Sequence, residues 1–314
     1  MNKCLVTKLD GSSNNPDLLR LGEMRMKILK VSNPTEHTQG FSIGVNNNVT
    51  LEIVSNGYFT DKTLTENKGK NITINAGTSS VWVSGNNDVE IAILDKYSLT
   101  SLATYYVTEA SSDVYGKNIK LDISDLKYST ALTSIVLSEA QVSGDIANLK
   151  NLTALTSINL SGTQVSGDIA NLKNLTALIS LNLYNAQVPL TGDIGQLSTL
   201  SSCVSISLKY SKLTGDLAIL PSKLRFVSFA NDKGSVFTWS TRQSTAKIIA
   251  IEGNASLTNI DQMLQNQAQC QVGFTSHDYS WYKTISVSGK RTSASDDAVA
   301  TLQQNGYTIS IAKA

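Results

Sequence analysis

The residues of this chain with the most obvious chemical potential are four aspartates that recur in an S/T-G-D motif. They are Asp145, Asp168, Asp193 and Asp216. A ladder of carboxylates could bind calcium, but calcium takes about 6–8 oxygen ligands and each copy of the motif supplies one carboxylate. Aspartate is also a preferred residue for capping the start of a helical segment. We therefore interpret the column as caps for the segments that follow, and we predict no metal site.

Two histidines are the other candidates for chemistry. His37 lies in a polar stretch, and His277 is followed by Asp278. Neighbours in an extended chain point to opposite faces, so the adjacent pair does not form a catalytic dyad. No G-x-S-x-G elbow, phosphate-binding loop, G-x-G-x-x-G or H-E-x-x-H motif accompanies them. We predict that the protein is not an enzyme and needs no cofactor.

The three cysteines, Cys4, Cys203 and Cys270, are far apart in the chain. Their odd number and the lack of C-x-x-C spacing indicate neither a zinc site nor a disulfide framework. Cys203 replaces a leucine of the repeat described below, so we expect it to fill the core as a small apolar side chain.

Composition narrows the classes of partner. The chain has 314 residues, is 41% hydrophobic and 16% charged, and carries a formal net charge of +1. That charge gives no field that would attract nucleic acid or an anionic membrane surface. No apolar stretch approaches the roughly 18 residues of a membrane span, and no leader-like apolar run follows Met1. We predict no nucleic-acid partner, no membrane insertion and no signal peptide.

An internal repeat determines the fold. Residues 132–154 and 155–177 form two 23-residue copies that differ at three positions. A third copy begins at Leu178 with two extra residues around Pro189, and a shortened fourth begins at Cys203. Clear repeats cover 132–223, and degenerate ones with a C-terminal cap cover 224–314. A repeat of this length buries its apolar residues only by stacking on its neighbours.

The spacing within one copy assigns the inward-facing residues. Leu155, Ile158 and Leu160 stand at L-x-x-L-x-L intervals, so Ile158 and Leu160 point inward from one short strand. We predict a parallel sheet with strands at 134–137, 157–160, 180–183 and 205–208. The intervening segments are expected to be short helical or irregular stretches.

This pattern resembles the leucine-rich-repeat family, and the S/T-G-D-I segment is similar to its plant-type variant. The near-identical copies resemble those of bacterial leucine-rich-repeat proteins of the Bacteroidetes. The chain departs from the family at the asparagine that ties neighbouring turns. That position holds Ala140, Thr163, Ala186 and Ser211, and only Asn254 fits. We expect hydroxyl groups to carry lateral hydrogen bonds here, with strand pairing and burial dominating stability.

The regions that flank the repeat are expected to cover the two ends of the repeat array. Residues 1–106 contain strand-like runs at 26–31, 41–45, 49–54, 71–76, 80–84 and 89–94, separated by Gly- and Asn-rich turns. We predict an all-β, sandwich-like N-terminal domain there, followed by the solenoid over 107–314. At the C-terminus, Ser295 is the expected N-cap of a short helix, Gly306 its C-cap, and a final strand follows.

Function is expected on the concave face, which solenoids use for binding. Its early turns present serines, whereas aromatic and charged residues enter later, among smaller residues such as Ser228. Since binding sites need aromatic or arginine anchors, we predict contacts at Tyr184, Lys209, Tyr210, Arg225 and Phe226. We hypothesise a non-enzymatic module that binds a protein or glycan on a bacterial surface or phage-like particle. The alternative is a structural spacer without a specific ligand.

Overall fold

A computed structural model of the protein describes residues 26–31, 39–55, 57–61, 66–85, 89–104, 119–184, 190–208, 211–229, 234–240, 250–253, 256–270 and 283–312. Most of these residues lie in strands, short 3-10 segments or the turns that join them. The first two repeats, residues 132–177, lie wholly within the described part of the chain.

The N-terminal region is built from antiparallel strands. In chain order these are β1 (Met26–Val31), β2 (Gln39–Val45), β3 (Val49–Ile53), β4 (Tyr58–Thr60), β5 (Asn67–Gly69), β6 (Asn71–Ile74), β7 (Gly77–Ser84) and β8 (Val89–Ile93). One sheet has the order β1-β8-β3-β6 and the other the order β2-β7-β4-β5. The sequence patterns predicted these strands except β4 and β5, which are short and carry little apolar alternation.

The repeats continue in parallel strands. They are β9 (Leu99–Thr104), β10 (Ile119–Asp122), β11 (Ser134–Val136), β12 (Gln141–Asp145), β13 (Ser157–Asn159), β14 (Gln164–Asp168), β15 (Ser180–Asn182), β16 (Leu190–Asp193), β17 (Ser205–Ser207), β18 (Lys212–Asp216), β19 (Phe226–Phe229), β20 (Val236–Thr238), β21 (Ala250–Gly253), β22 (Ser256–Leu257), β23 (Thr284–Ser288) and β24 (Thr308–Ala312).

These strands form two parallel ladders. The odd-numbered strands from β9 to β23, with β24 after them, make the first ladder. The even-numbered strands from β10 to β22 make the second. The predicted parallel sheet is confirmed as the first ladder. The second ladder was not predicted, because its Q-V-S-G-D segments contribute one apolar residue each and lack strand alternation.

Each of the four clear turns, and the turn before them, closes with a short 3-10 segment after its second-ladder strand. These segments are Ile123–Leu126, Ile146–Leu149, Ile169–Leu172, Ile194–Thr199 and Leu217–Ile219. Their apolar residues point into the core: Ile169 and Leu172 are fully buried, as are Leu155, Ile158 and Leu160. The inward assignment made from the repeat spacing is therefore confirmed.

The N-terminal sheets are continuous with the ladders. β9 pairs in parallel with β11 and antiparallel with β2, while β10 pairs in parallel with β12 and antiparallel with β1. Buried residues of the antiparallel sheets, such as Phe41 and Ile91, belong to the same hydrophobic cluster as Leu160. Each ladder thus begins on an antiparallel sheet that covers its first strand, as a repeat array requires.

Two helices close the C-terminal end: α1 (Ile260–Cys270) and α2 (Asp296–Gln304). β23 pairs with β21, β22 and β24, so the two ladders meet there. The helix predicted near Ser295 is confirmed as α2, and Gly306 has the left-handed φ of +84° expected after a helix. Ser295 makes no side-chain cap bond; its hydroxyl donates instead to Asp261 Oδ1 at 2.5 Å.

Candidate binding face

The exposed side of the first ladder, called the concave face below, has a polar floor in its early turns. Ser134, Ser157, Ser180 and Ser205 stand in register on successive strands, and all four are half-buried. Neighbouring strands are about 4.8 Å apart, so hydroxyl groups repeat along the solenoid at that interval. This column offers hydrogen bonds but little area to a ligand.

Asparagines in the next column are held by the backbone. Asn159 Oδ1 accepts hydrogen bonds from the backbone nitrogen and the hydroxyl of Ser161, at 3.2 and 2.9 Å. Asn182 Oδ1 accepts one from the backbone nitrogen of Tyr184 at 3.0 Å. Both oxygens are used within the floor, so the amide nitrogens remain as the donors that these side chains offer.

The predicted anchors lie at two ends of the face. Tyr184 follows β15, whereas Arg225 and Phe226 stand at the start of β19, and all three are half-buried. Arg225 Nη1 donates to the carbonyl oxygens of Ser222 and Leu224 at 3.3 and 3.1 Å. Lys209 and Tyr210 fall outside the described residues.

The separation of these anchors follows from the strand register. Ser180 aligns with Ser205 and Ser205 with Phe226, so Tyr184 lies four residues further along the chain and two strands away. With about 3.3 Å per residue of extended chain and 4.8 Å per strand, the Cα atoms of Tyr184 and Phe226 are at most about 16 Å apart, because β15 ends at Asn182 and Tyr184 lies in the turn that follows it. Arg225 and Phe226 are neighbours in the chain at the start of β19, where successive side chains point to opposite faces, and Tyr184 lies two strands away from them.

Two apolar side chains of this region were missed by sequence reasoning. Ile179 is 49% exposed and Val204 is 38% exposed. The backbone nitrogen of Val204 donates to the carbonyl of Ile179, and that of Arg225 to the carbonyl of Val204, both at 2.8 Å. Ile179, Val204 and Arg225 therefore form a contiguous row, called the lip, along the N-terminal ends of the strands.

The signal for the lip was present in the repeat. Earlier turns have threonine in this row, and Thr133 and Thr156 donate their hydroxyls to the carbonyl oxygens of Thr100 and Thr133, at 3.1 and 2.9 Å. These hydroxyl bonds are lateral, but they are not at the position where the sequence predicted them. Thr163 and Ser211 at that position donate instead within their own turns, to the carbonyl oxygens of Leu160 and Leu208 at 2.6 and 2.9 Å. Isoleucine and valine in the row of Thr133 and Thr156 lose the lateral bond and expose apolar area, which is unusual for a position with no core contact.

One assignment on this face was wrong. Ser228 was expected to be exposed with the other strand residues, but it is 1% exposed. Its place in the register is next to Ser207, so alternation gives the correct face. Strand alternation predicts on which face of the sheet a side chain lies. It does not predict whether another part of the chain covers that face, and the burial of this face differs along the ladder.

The aspartate column caps the 3-10 segments, as predicted. The Oδ1 atoms of Asp145, Asp168 and Asp193 accept hydrogen bonds from the backbone nitrogen two residues later, at 2.7, 2.8 and 2.8 Å. Asp216 does the same at 2.9 Å. Within the described ranges, no group of three or more His, Cys, Asp or Glu side chains is placed to hold a metal ion.

Cys203 is confirmed as a core residue with no exposed area. Burial raises the pKa of its thiol to about 11, and Sγ lies 3.4 Å from the carbonyl oxygen of Ser205. The thiol is therefore protonated at neutral pH and unsuited to nucleophilic chemistry. Cys4, His37, His277 and Asp278 fall outside the described residues.

The helices of the described part of the chain include none with the length and apolar character needed to cross a membrane.

Comparison with known proteins gives only distant structural likeness. No family model matches the sequence, and no curated protein matches it. Internalin C2 from Listeria monocytogenes is 18% identical with a TM-score of 0.39, over 58% of this chain and 74% of that one. The leucine-rich-repeat ectodomain of the receptor kinase SOBIR1 from Arabidopsis thaliana is 18% identical with a TM-score of 0.34, over 49% and 73%. Pollen receptor kinase 3 is 20% identical with a TM-score of 0.38, over 51% and 76%.

The architecture is established by the chain's own geometry. The repeat places Ile135, Ile158, Leu181 and Ile206 in register on successive parallel strands, and all four are fully buried. A short 3-10 segment closes each of these turns. The described repeats therefore form a solenoid of parallel strands around a common apolar core.

Proposed function

We propose that the protein is a non-enzymatic binding module that holds a protein partner against the C-terminal half of its concave face. The observation that carries the proposal is that the aromatic, basic and exposed apolar residues of the face lie from the turn of β15 onward, whereas the earlier turns present serine and asparagine. Arg225 and Phe226 adjoin the exposed lip residues Ile179 and Val204, and Tyr184 lies across the face from them.

The energetics favour this half over the polar floor. A hydrogen bond contributes a net of about 0.5–1.5 kcal/mol after desolvation, so serines alone give little affinity. Apolar area contributes roughly 25 cal/mol per Å² when buried, and aromatic side chains bury large areas with few rotatable bonds. A partner that covers the lip and Tyr184 together gains both terms.

The distance between anchors favours a protein over a small molecule. A ligand must reach up to about 16 Å from Tyr184 to Phe226 and meet both an apolar row and a guanidinium. A folded protein surface satisfies these conditions with one continuous patch. A glycan is the other ligand class that the floor suits, because Asn159, Asn182 and the serines offer hydrogen bonds to sugar hydroxyls. Display on a bacterial surface or a phage-like particle remains part of this proposal.

A second candidate function, a spacer without a specific ligand, is favoured by the first two turns. Their outward residues are serine, asparagine and a single valine, Val136. Nothing in that floor supplies an anchor of the kind that hot spots need.

Site-specific photo-crosslinking distinguishes these possibilities. A benzophenone amino acid is placed at Phe226 in one variant and at Asn159 in a matched control, and each is irradiated in an extract of the cells that produce the protein. We expect a discrete protein adduct from position 226 and none from position 159. Adducts from position 159 alone would contradict the proposal. The absence of adducts from both positions, with each variant folded by circular dichroism, would favour the spacer.

A further inference from the structure

Among the residues that the structure describes, the last strand of the first ladder has an unpaired edge. β24 pairs with β23 over its whole length, from Thr284↔Thr308 to Ser288↔Ala312, and no other described strand pairs with it. Thr308, Ser310 and Ala312 are exposed, while Ile309 and Ile311 are half-buried. Natural proteins usually protect such an edge with charge, proline or a bulge, and the sequence T-I-S-I-A contains none of these.

This edge adjoins a groove with apolar and polar walls. Ile309 and Ile311 continue the columns of Ile285 and Val287, which are buried. With Val299 and Gln303 of α2, and with Gly289, Lys290 and Arg291, they line a groove of about 660 Å³ whose apolar wall is formed by the two isoleucines and Val299. A strand added next to β24 would therefore find both hydrogen-bonding groups and an apolar surface for side chains at alternate positions.

Backbone hydrogen bonds show which groups the edge offers. Thr308 N donates to Lys283 O, and Ala312 O accepts from Gly289 N, both at 2.9 Å. Since successive residues of a strand direct their backbone groups to opposite sides, Thr308, Ser310 and Ala312 point toward β23. The N–H and C=O groups of Ile309 and Ile311 consequently point outward, to the unpaired edge.

The sequence of β24 is nearly symmetric about Ser310. In an antiparallel pair of two such strands centred there, Ile309 would stand opposite Ile311 of the second copy, and the reverse. Both of these pairs would be hydrogen-bonded, giving four N–H···O=C bonds, and Ser310 would meet its own equivalent as a non-hydrogen-bonded pair. The isoleucines of both copies would meet as cross-strand pairs along the apolar wall of the groove.

We propose that β24 is a dimerisation edge, at which two copies of this chain pair antiparallel about a twofold axis through Ser310. One strand supplies both halves of such an isologous contact, which is why a second copy fits this edge better than an unrelated segment. The first ladders of the two copies would then form one continuous sheet.

The oligomeric state of the full chain tests the edge. We expect light scattering with size-exclusion chromatography to give twice the chain mass at micromolar concentrations. Ser310→Lys places two ammonium groups at the axis and should give a monomer. Ser205→Lys, on β17 of the same ladder and face, should leave the dimer intact. A wild-type monomer at every concentration, or a Ser310→Lys dimer, would overturn the proposal.

Cysteine pairing tests the register without relying on a disruptive variant. In a background with Cys4 and Cys270 replaced by alanine, Ser310→Cys should form an intermolecular disulfide, because the paired Cα atoms would be about 4.5 Å apart. Thr308→Cys should not link to itself, since its equivalents would be about 14 Å apart. A mixture of Thr308→Cys and Ala312→Cys should link. Equal self-linking of the 308 and 310 variants would contradict the register.

Discussion

Gly167 lies against the carboxylate of Asp145 in the preceding turn, so closely that a Cβ atom at position 167 would overlap Asp145 Oδ1. The same oxygen accepts the capping hydrogen bond from Ala147 N at 2.7 Å. Gly167 also has a φ of +121°, which L side chains rarely adopt. The S/T-G-D motif therefore has a role between turns as well as within one: its glycine accommodates the previous turn's aspartate.

Gly167→Ala should lower the free energy of unfolding by about 2–4 kcal/mol, because it adds backbone strain and steric overlap together. Gly69→Ala is the matched control, since Gly69 has a φ of +77° and a Cβ atom added there would meet no other atom within 4 Å; it should cost about 1–2 kcal/mol. Urea denaturation measures both. In an Asp145→Ala background the cost of Gly167→Ala should fall toward the control, and an unchanged cost would mean that the aspartate is not the obstacle.

Strained backbone at Glu139 gives a second prediction. Glu139 has a φ of +59°, and the equivalent residue of the next repeat is Gly162, with a φ of +70°. Glu139→Gly should raise the free energy of unfolding by about 0.5–1 kcal/mol, because glycine adopts this conformation without the side-chain penalty. Ser138→Gly, at an ordinary φ, should lower it. A destabilised Glu139→Gly variant would show that the glutamate side chain, which lies over Gly162, contributes contacts that outweigh the strain.

The repeat spacing predicted much of this fold, and the reasons for its failures are physical. Leu155, Ile158 and Leu160 repeat at fixed intervals, so their inward direction was evident. Helix α1 was missed although Ile260, Met263, Leu264 and Ala268 have helical spacing and Asn259 precedes them as a possible N-cap, because its Gln- and Asn-rich sequence has no counterpart in the repeat. The burial of Ser228 depends on what covers that face, which no local pattern encodes. The exposure of Ile179, in contrast, follows from its place in the repeat, in the row of Thr133 and Thr156.

The C-terminal cap should respond to acid through Asp261. Thr292 and Ser295 donate hydroxyls to its carboxylate at 2.7 and 2.5 Å, and Thr292 N donates at 3.1 Å. Partial burial opposes the charge, but these hydrogen bonds and the charge of Arg291 outweigh it and hold the pKa of Asp261 below its ordinary value of 3.8. This contribution to stability is complete above the unfolded-state pKa and is lost as the pH falls through the lower folded-state pKa.

Asp261→Asn should therefore destabilise the protein by about 1 kcal/mol at pH 6, a small effect because the carboxylate is partly exposed. The difference from wild type should shrink as the pH falls below about 4. Asp297→Asn, in the exposed first turn of α2, serves as the control and should show no comparable change. Denaturation at pH 6 and pH 3 measures the two differences, and a gap that persists at pH 3 would show that the asparagine disturbs packing rather than charge.

The central claim is tested most directly by isothermal titration calorimetry. The experiment measures the affinity of two double variants for the partner that photo-crosslinking identifies. Truncating an anchor costs about 2 kcal/mol or more, and 1.4 kcal/mol corresponds to a factor of ten. Tyr184→Ala with Phe226→Ala should weaken binding at least 100-fold. Ser134→Ala with Asn159→Ala, on the same face in the early turns, should change it less than threefold. The opposite ranking, with both variants folded to the same melting temperature, would contradict binding at the C-terminal half of the concave face.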